Sequence, residues 1–120
     1  MAEKTYTVSC HCGRLKYEVT GELNEVTDCN CSICSRAGYL HWYVESTQVK
    51  LLTPQPAMST YVWRKLSTYH HFCPVCGNAV IRSMVRPNRT NRLSVNVRCI
   101  EGIDLRTLNI KSLDGKNSIP

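Results

Sequence analysis

The chain has 120 residues, 15 Lys and Arg against 9 Asp and Glu, and 8 cysteines. Its length predicts one domain over residues 1–120, because ordinary domains run to about 100–200 residues. No apolar run reaches the roughly 18 residues that read as a membrane-spanning helix, so a helical membrane span is excluded. The opening Met1-Ala2-Glu3-Lys4-Thr5-Tyr6 lacks the apolar stretch of a secretory signal, which predicts a cytoplasmic chain. Leu, Ile, Val and Phe supply 28 of the 120 residues, just above the roughly 20% below which chains stay disordered. The core is therefore feasible but thin. Clustered cysteines in an unsecreted chain point to metal binding rather than disulfides, and they are the expected reinforcement.

Helix formers are scarce and β-branched residues abundant, with four Ala against eleven Val and ten Thr. That balance, with period-two alternation, predicts a mostly β domain. Thr5–Cys10 puts Tyr6, Val8 and Cys10 on one face, and Leu15–Val19 does the same for Leu15, Tyr17 and Val19. Further strands are expected at Tyr39–Val44, Val49–Leu52, Thr60–Lys65, Ala79–Met84 and Leu93–Ile100. In the last, Leu93, Val95, Val97 and Cys99 oppose Ser94, Asn96 and Arg98. Pro54 and Pro56 mark one turn and Pro87-Asn88 another. Short helices are expected after Ser32 and around Asp104–Leu108.

The cysteines fall into three groups. Cys10-His11-Cys12-Gly13 and Cys73-Pro74-Val75-Cys76-Gly77 each lie between two strand patterns and end on glycine. Such a knuckle needs a residue that takes positive φ without a Cβ clash, and its turn aims backbone N–H groups at the sulfurs. Two knuckles supply Cys10, Cys12, Cys73 and Cys76, the closed tetrahedral set of structural zinc. A redox Cys-x-x-Cys pair and buried free thiols are the competing readings. The third group, Cys29-Asn30-Cys31-Ser32-Ile33-Cys34, has three thiols and no glycine knuckle. Three protein ligands with an open position are the pattern of catalytic zinc, which acts as a Lewis acid. The competing readings, which the spacing leaves open, are a second structural site completed by a distant histidine and a pairing that mixes the groups. Cys99 reads as a small buried apolar residue.

Seven thiolates holding two zinc ions would bring the formal charge from +6 to about +3. No acidic residue occurs between Glu45 and Glu101, whereas Lys50, Arg64, Lys65, Arg82, Arg86, Arg89, Arg92 and Arg98 do. That half should attract anions, either a small carboxylate-bearing substrate or a nucleic-acid backbone, unless it is simply a solvated face. His41 follows the three-cysteine group closely enough to reach it as a proton shuttle. One of His70 and His71 is expected beside the structural metal, and His11 is expected to be exposed. Tyr39, Trp42 and Tyr43 either wall a pocket or belong to the core. Asn88-Arg89-Thr90 matches a glycosylation pattern that the absence of a signal discounts.

The order Ser9-Cys10-His11-Cys12-Gly13, Cys29-Asn30-Cys31-Ser32-Ile33-Cys34 and Phe72-Cys73-Pro74-Val75-Cys76-Gly77 resembles the glutathione-dependent formaldehyde-activating enzyme family, which includes centromere protein V. Val95-Asn96-Val97-Arg98, Gly102-Ile103-Asp104-Leu105 and Asp114-Gly115-Lys116 extend the resemblance over roughly Ser9 to Lys116. It implies a β-tent fold of antiparallel sheets around two zinc sites. Cys10, Cys12, Cys73 and Cys76 would hold the structural ion, and Cys29, Cys31 and Cys34 the catalytic one. It also implies carbon–sulfur lyase chemistry on a thiol adduct of a carbonyl compound, with glutathione as the family's thiol. Two alternatives stand beside it. One is a zinc Lewis-acid lyase or dehydratase tailoring a biosynthetic intermediate; the other is a non-catalytic binding module using its basic face.

Overall fold

The computed structural model describes residues 3–53, 58–63, 68–85 and 91–118. Strands β1 (Lys4–Ser9), β2 (Lys16–Gly21) and β5 (Val49–Leu51) form a three-stranded antiparallel sheet in the order β1-β2-β5. The larger sheet contains β3 (Glu25–Cys29), β4 (His41–Glu45), β6 (Ser59–Trp63), β7 (Thr68–Phe72), β8 (Ala79–Val85), β9 (Asn91–Asn96) and β10 (Asn109–Leu113). Its order is β10-β3-β4-β9-β8-β7-β6. Helix α1 (Ser32–Ala37) follows β3, and α2 (Gly115–Ser118) follows β10. The fold is mostly β, as the composition predicts. All described pairings between strands are antiparallel except one: β10 runs parallel to β3, with Asn109 opposite Glu25 and Leu113 opposite Cys29.

The core lies between the two sheets. Val8, Tyr17 and Val19 on the small sheet, with Leu15 just before β2, pack with Trp42, Val44, Val80, Ile81 and Val95 on the large one. Tyr6 meets Trp42 edge-to-face at 5.6 Å. The alternation predicted for Leu15–Val19 is met in full, with Leu15, Tyr17 and Val19 all buried.

The other face of the large sheet behaves differently. Directly opposed residues on antiparallel neighbours share a face, so Tyr61, His70, Arg82, Ser94 and Tyr43 form one row across five strands. Thr27, His41 and Asn96 form the next row. This polar face is not solvent-facing: His41, His70, Arg82, Ser94 and Asn96 are all buried. The sequence pattern placed Ser94 and Asn96 opposite the apolar face of β9, but their burial was not foreseen.

Leu93–Ile100 is not one strand. It breaks after Asn96 into a 3-10 turn, Val97–Cys99, which the Asn96 side chain caps by accepting from Arg98 N–H. A second 3-10 turn, Leu105–Thr107, stands where a helix was expected. Strands β3, β7 and β10 were missed. Pro54, Pro56, Pro87-Asn88, Arg64, Lys65, Arg86, Arg89 and the Asn88-Arg89-Thr90 pattern lie outside the described residues.

Candidate metal centre

Each glycine knuckle is a hairpin tip. Cys10–Gly13 joins β1 to β2, and Cys10 N–H bonds Leu15 O at 3.0 Å. Cys73–Gly77 joins β7 to β8, and Cys73 N–H bonds Asn78 O at 3.1 Å. Gly13 (φ 85°) and Gly77 (φ 75°) both take the left-handed conformation that the turn requires. The tips belong to different sheets, yet they bring the sulfurs of Cys10, Cys12, Cys73 and Cys76 within 4.8 Å of one another. Cys12 Sγ lies 3.5 Å from Cys73 Sγ across the junction. Backbone N–H groups point at these sulfurs, with Leu15 on Cys10 at 3.3 Å and Val75 on Cys73 at 3.4 Å. The N–H groups of Cys12 and Asn78 bring the Cys76 thiol down to about 6. Four soft donors, with backbone dipoles favouring thiolate, fit a tetrahedral zinc ion.

The three-cysteine group is assembled by a strand end and a helix start. Cys29 closes β3, and Cys31 caps α1 by accepting from Cys34 N–H at 3.5 Å. One helical turn returns Cys34 beside Cys31, and Gly38 (φ 70°) ends the helix by bonding Cys34 O. All three residues are buried, with their sulfurs within 4.8 Å of one another. The intervening Asn30 is held by the chain's far end. Its Nδ2 donates to Asp114 Oδ1 at 3.0 Å, while its Oδ1 accepts from Lys116 N–H at 2.8 Å. Burial raises the Cys29 and Cys34 thiols. Burial also acts to raise Cys31, but the N–H and thiol donors of Cys34 outweigh it and lower that thiol. A divalent cation offsets the cost of gathering three buried thiolates, so this donor set also fits zinc. The groups do not mix, and no disulfide forms. Cys99 joins neither cluster and is buried, facing Asn78 and Ala79.

His41 reaches the three-cysteine group as its position suggested. Its Nε2 lies 3.1 Å from Cys34 Sγ, and its Nδ1 is hydrogen-bonded to Ser94 Oγ. When Ser94 donates to Nδ1, the imidazole proton sits on Nε2 and faces the sulfur. Burial, then the charge of Arg82, pushes the His41 pKa down to about 3, so the ring is neutral. Tyr39 and Tyr43 stack on its two sides, with centroids 5.0 and 5.6 Å away. Tyr43 therefore walls the site, whereas Trp42 belongs to the core.

Neither of the paired histidines packs against the four-cysteine knuckles. His70 bonds Tyr39 OH and Thr68 Oγ1, both at 3.2 Å, on the polar sheet face. His71 bonds Thr60 and Ser83. Strand alternation sends the two side chains to opposite faces of the sheet, His70 into the polar row with Arg82 and His71 beside Tyr17 and Ile81. His11 is exposed, as expected.

A cavity of about 540 Å³ opens beside the three cysteines, lined by Cys29, Cys31, His41, Tyr43, Arg82 and Arg92, among others. Lys111 and Ser112 of β10 complete one wall. The family model of the glutathione-dependent formaldehyde-activating enzyme matches residues 5–107. The chain belongs to that family. A crystal structure of a Rhodobacter sphaeroides protein is similar in fold, with a TM-score of 0.70 and 24% identity. That match covers 88% of this chain and 99% of the other. The family match ends before Asp114 and Lys116, which hold Asn30 between two of the cysteines. Ser94, Asn30 and the burial of Arg82 escaped sequence reasoning. The one available signal was the period-two polar row opposite the apolar face of β9.

Proposed function

We propose that the protein is a zinc-dependent carbon–sulfur lyase acting on the adduct of a thiol and a carbonyl compound, with glutathione chemistry as its family prototype. The supporting observation is that Cys29 and Cys31, two of the three clustered buried cysteines, line a cavity of substrate size together with a neutral imidazole and a buried guanidinium. Cys10, Cys12, Cys73 and Cys76 are assigned to a structural zinc, and Cys29, Cys31 and Cys34 to a catalytic one. A bound zinc at the second site would supply a Lewis acid able to hold a substrate sulfur as thiolate at neutral pH.

The chain's own residues orient and move protons. Ser94 and His41 form a relay ending at Cys34, which holds that sulfur in one direction. His41 is assigned proton transfer at the adduct hydroxyl, for which Nε2 exchanges its contact with Cys34 Sγ for one with the substrate. Its low basicity suits a relay that takes a proton at one nitrogen while releasing it at the other, without a lasting imidazolium. Asn96 donates to Ala79 O and accepts from Leu40 N–H, which fixes the start of β4 and so the depth of His41. Two of the described arginines, Arg82 and Arg92, line the cavity. That placement favours a small anionic substrate over a broad nucleic-acid surface.

The test follows thiol release from aldehyde–thiol adducts by metal-loaded protein. Acceleration over buffer that disappears in Cys31→Ser is the expected result. A protein carrying two zinc ions that leaves adducts of charged and neutral carbonyl compounds at the buffer rate would refute the reading.

A further inference from the structure

Arg82 is the one buried arginine among the described residues, at 7% exposure, and its Nε has no hydrogen-bond partner. A guanidinium withdrawn from water with an unfilled donor is costly unless a charge and acceptors meet it. Its neighbours in the polar row, His70 and Ser94, bring no negative charge. The negative charge it meets is that of the three-cysteine cluster, whose Cys34 thiolate it favours and a bound zinc would largely neutralise. His70 is held neutral, its pKa pushed down to about 4 by burial and then by Arg82. None of the described residues lining the cavity is Asp or Glu, while Arg82, Arg92 and Lys111 all line it. Lys111 is paired with Glu25 at 3.2 Å. The guanidinium of Arg92 sits over Tyr43, its central carbon 4.2 Å from the ring centre. The cavity is thus a cationic chamber with an incompletely satisfied arginine beside the three-cysteine cluster.

We propose that this chamber is a carboxylate subsite: Arg82, seconded by Arg92, receives a carboxylate of the substrate while the substrate sulfur is at the cysteine cluster. The inference rests on the lyase reading for the role of the sulfur, but the carboxylate subsite stands on Arg82 alone. Arginine suits the task because its planar fork matches a carboxylate's two oxygens, and a water-poor site strengthens the pair. The substrate is then an adduct with an acid group within a few bonds of the reacting carbon. The acid comes either from the carbonyl half, as in a 2-oxo acid, or from a short thiol acid.

The test uses metal-loaded protein and three probes. Acetate, which has no thiol, should shift the Arg82 Nε–H resonance saturably. 2-Mercaptoacetate should bind at least about tenfold more tightly than 2-mercaptoethanol, the gain expected from one charged hydrogen-bonded pair. Arg82→Gln should abolish that preference while keeping both zinc ions and the affinity for 2-mercaptoethanol. Equal binding of the two thiols by wild type, with no acetate response, overturns the proposal and shows that only water meets Arg82. That wild-type comparison decides the matter even if Arg82→Gln fails to fold. A preference that survives in a folded Arg82→Gln also overturns it. If neither thiol binds but acetate still shifts Arg82, the subsite stands and the lyase reading fails. Turnover then locates the acid, using the adduct of glyoxylate with 2-mercaptoethanol and that of formaldehyde with 2-mercaptoacetate. Whichever exceeds the adduct of formaldehyde with 2-mercaptoethanol identifies the acid-bearing half, and failure of both to exceed it counts against the proposal.

Discussion

Cys31 has two duties at the scale of single residues, and they can be separated. Its sulfur belongs to the three-cysteine cluster, and it also accepts Cys34 N–H as the cap of α1. Serine is among the best helix caps but a far poorer zinc ligand than thiolate. Cys31→Ser is therefore expected to keep the fold, melting within about 5 °C of wild type, since roughly 1 kcal/mol moves a domain this size by that much. Its zinc content should fall from two per chain to one, with loss of turnover. Metal analysis beside a thermal melt checks this, and two retained ions would remove Cys31 from the ligand set. His41 shows the same economy: one nitrogen meets Cys34 and the other Ser94, so both ring positions are engaged.

The knuckles matter at the scale of elements because each is the tip of a hairpin from a different sheet. A metal held by Cys10, Cys12, Cys73 and Cys76 is a crosslink between β1–β2 and β7–β8, added to a thin core. Structural zinc contributes on the order of 10 kcal/mol to small domains, comparable with the entire stability of most. Cys76→Ala should therefore leave the chain unfolded or aggregated, as read by circular dichroism and soluble yield. A variant that melts like wild type would show that the sheets hold together without the ion. Strand β10 plays a quieter part. Pairing parallel to β3 delivers Asp114 and Lys116 to Asn30, and so sets the loop between Cys29 and Cys31.

The whole molecule should lose stability on acidification. His70 is buried and its pKa is lowered from 6.5 to about 4, with burial the largest cause, followed by the charges of Arg82 and then His71. The unfolded chain accepts that proton near 6.5 and the folded chain resists it until about 4. Between those values the unfolded state binds more protons, so stability falls as pH drops through the window. Above about 6.5 the contribution is complete. One such histidine gives a slope of about 1.4 kcal/mol per pH unit. Denaturant melts from pH 7 to pH 4.5 should show it, and His70→Gln should flatten the profile by one proton. Acid also displaces metal from thiolates and protonates the buried His41 and half-buried His71, in the same direction, and an unchanged slope in His70→Gln would assign the whole effect to those groups.

What was legible in the chain was whatever depends on neighbours in sequence. Strand alternation around Tyr17 and Val95, the glycine turns after Cys12 and Cys76, the helix start at Ser32 and the three cysteine groups are all local patterns. The family resemblance rests on the same motifs. Long-range pairing was not legible. β3, β7 and β10 carry too few alternating apolar residues to announce themselves, and β10 is exposed along its length. Its partner β3 is 80 or more residues away, and the parallel direction follows from where the intervening chain returns. The polar row of His70, Arg82 and Ser94 reads as a solvent face, and only the folded structure shows it buried. Burial turns those ordinary polar residues into a neutral imidazole, a guanidinium with an unfilled Nε donor and a hydroxyl relay. Their chemistry is set by desolvation and opposing charge, which only the tertiary structure decides.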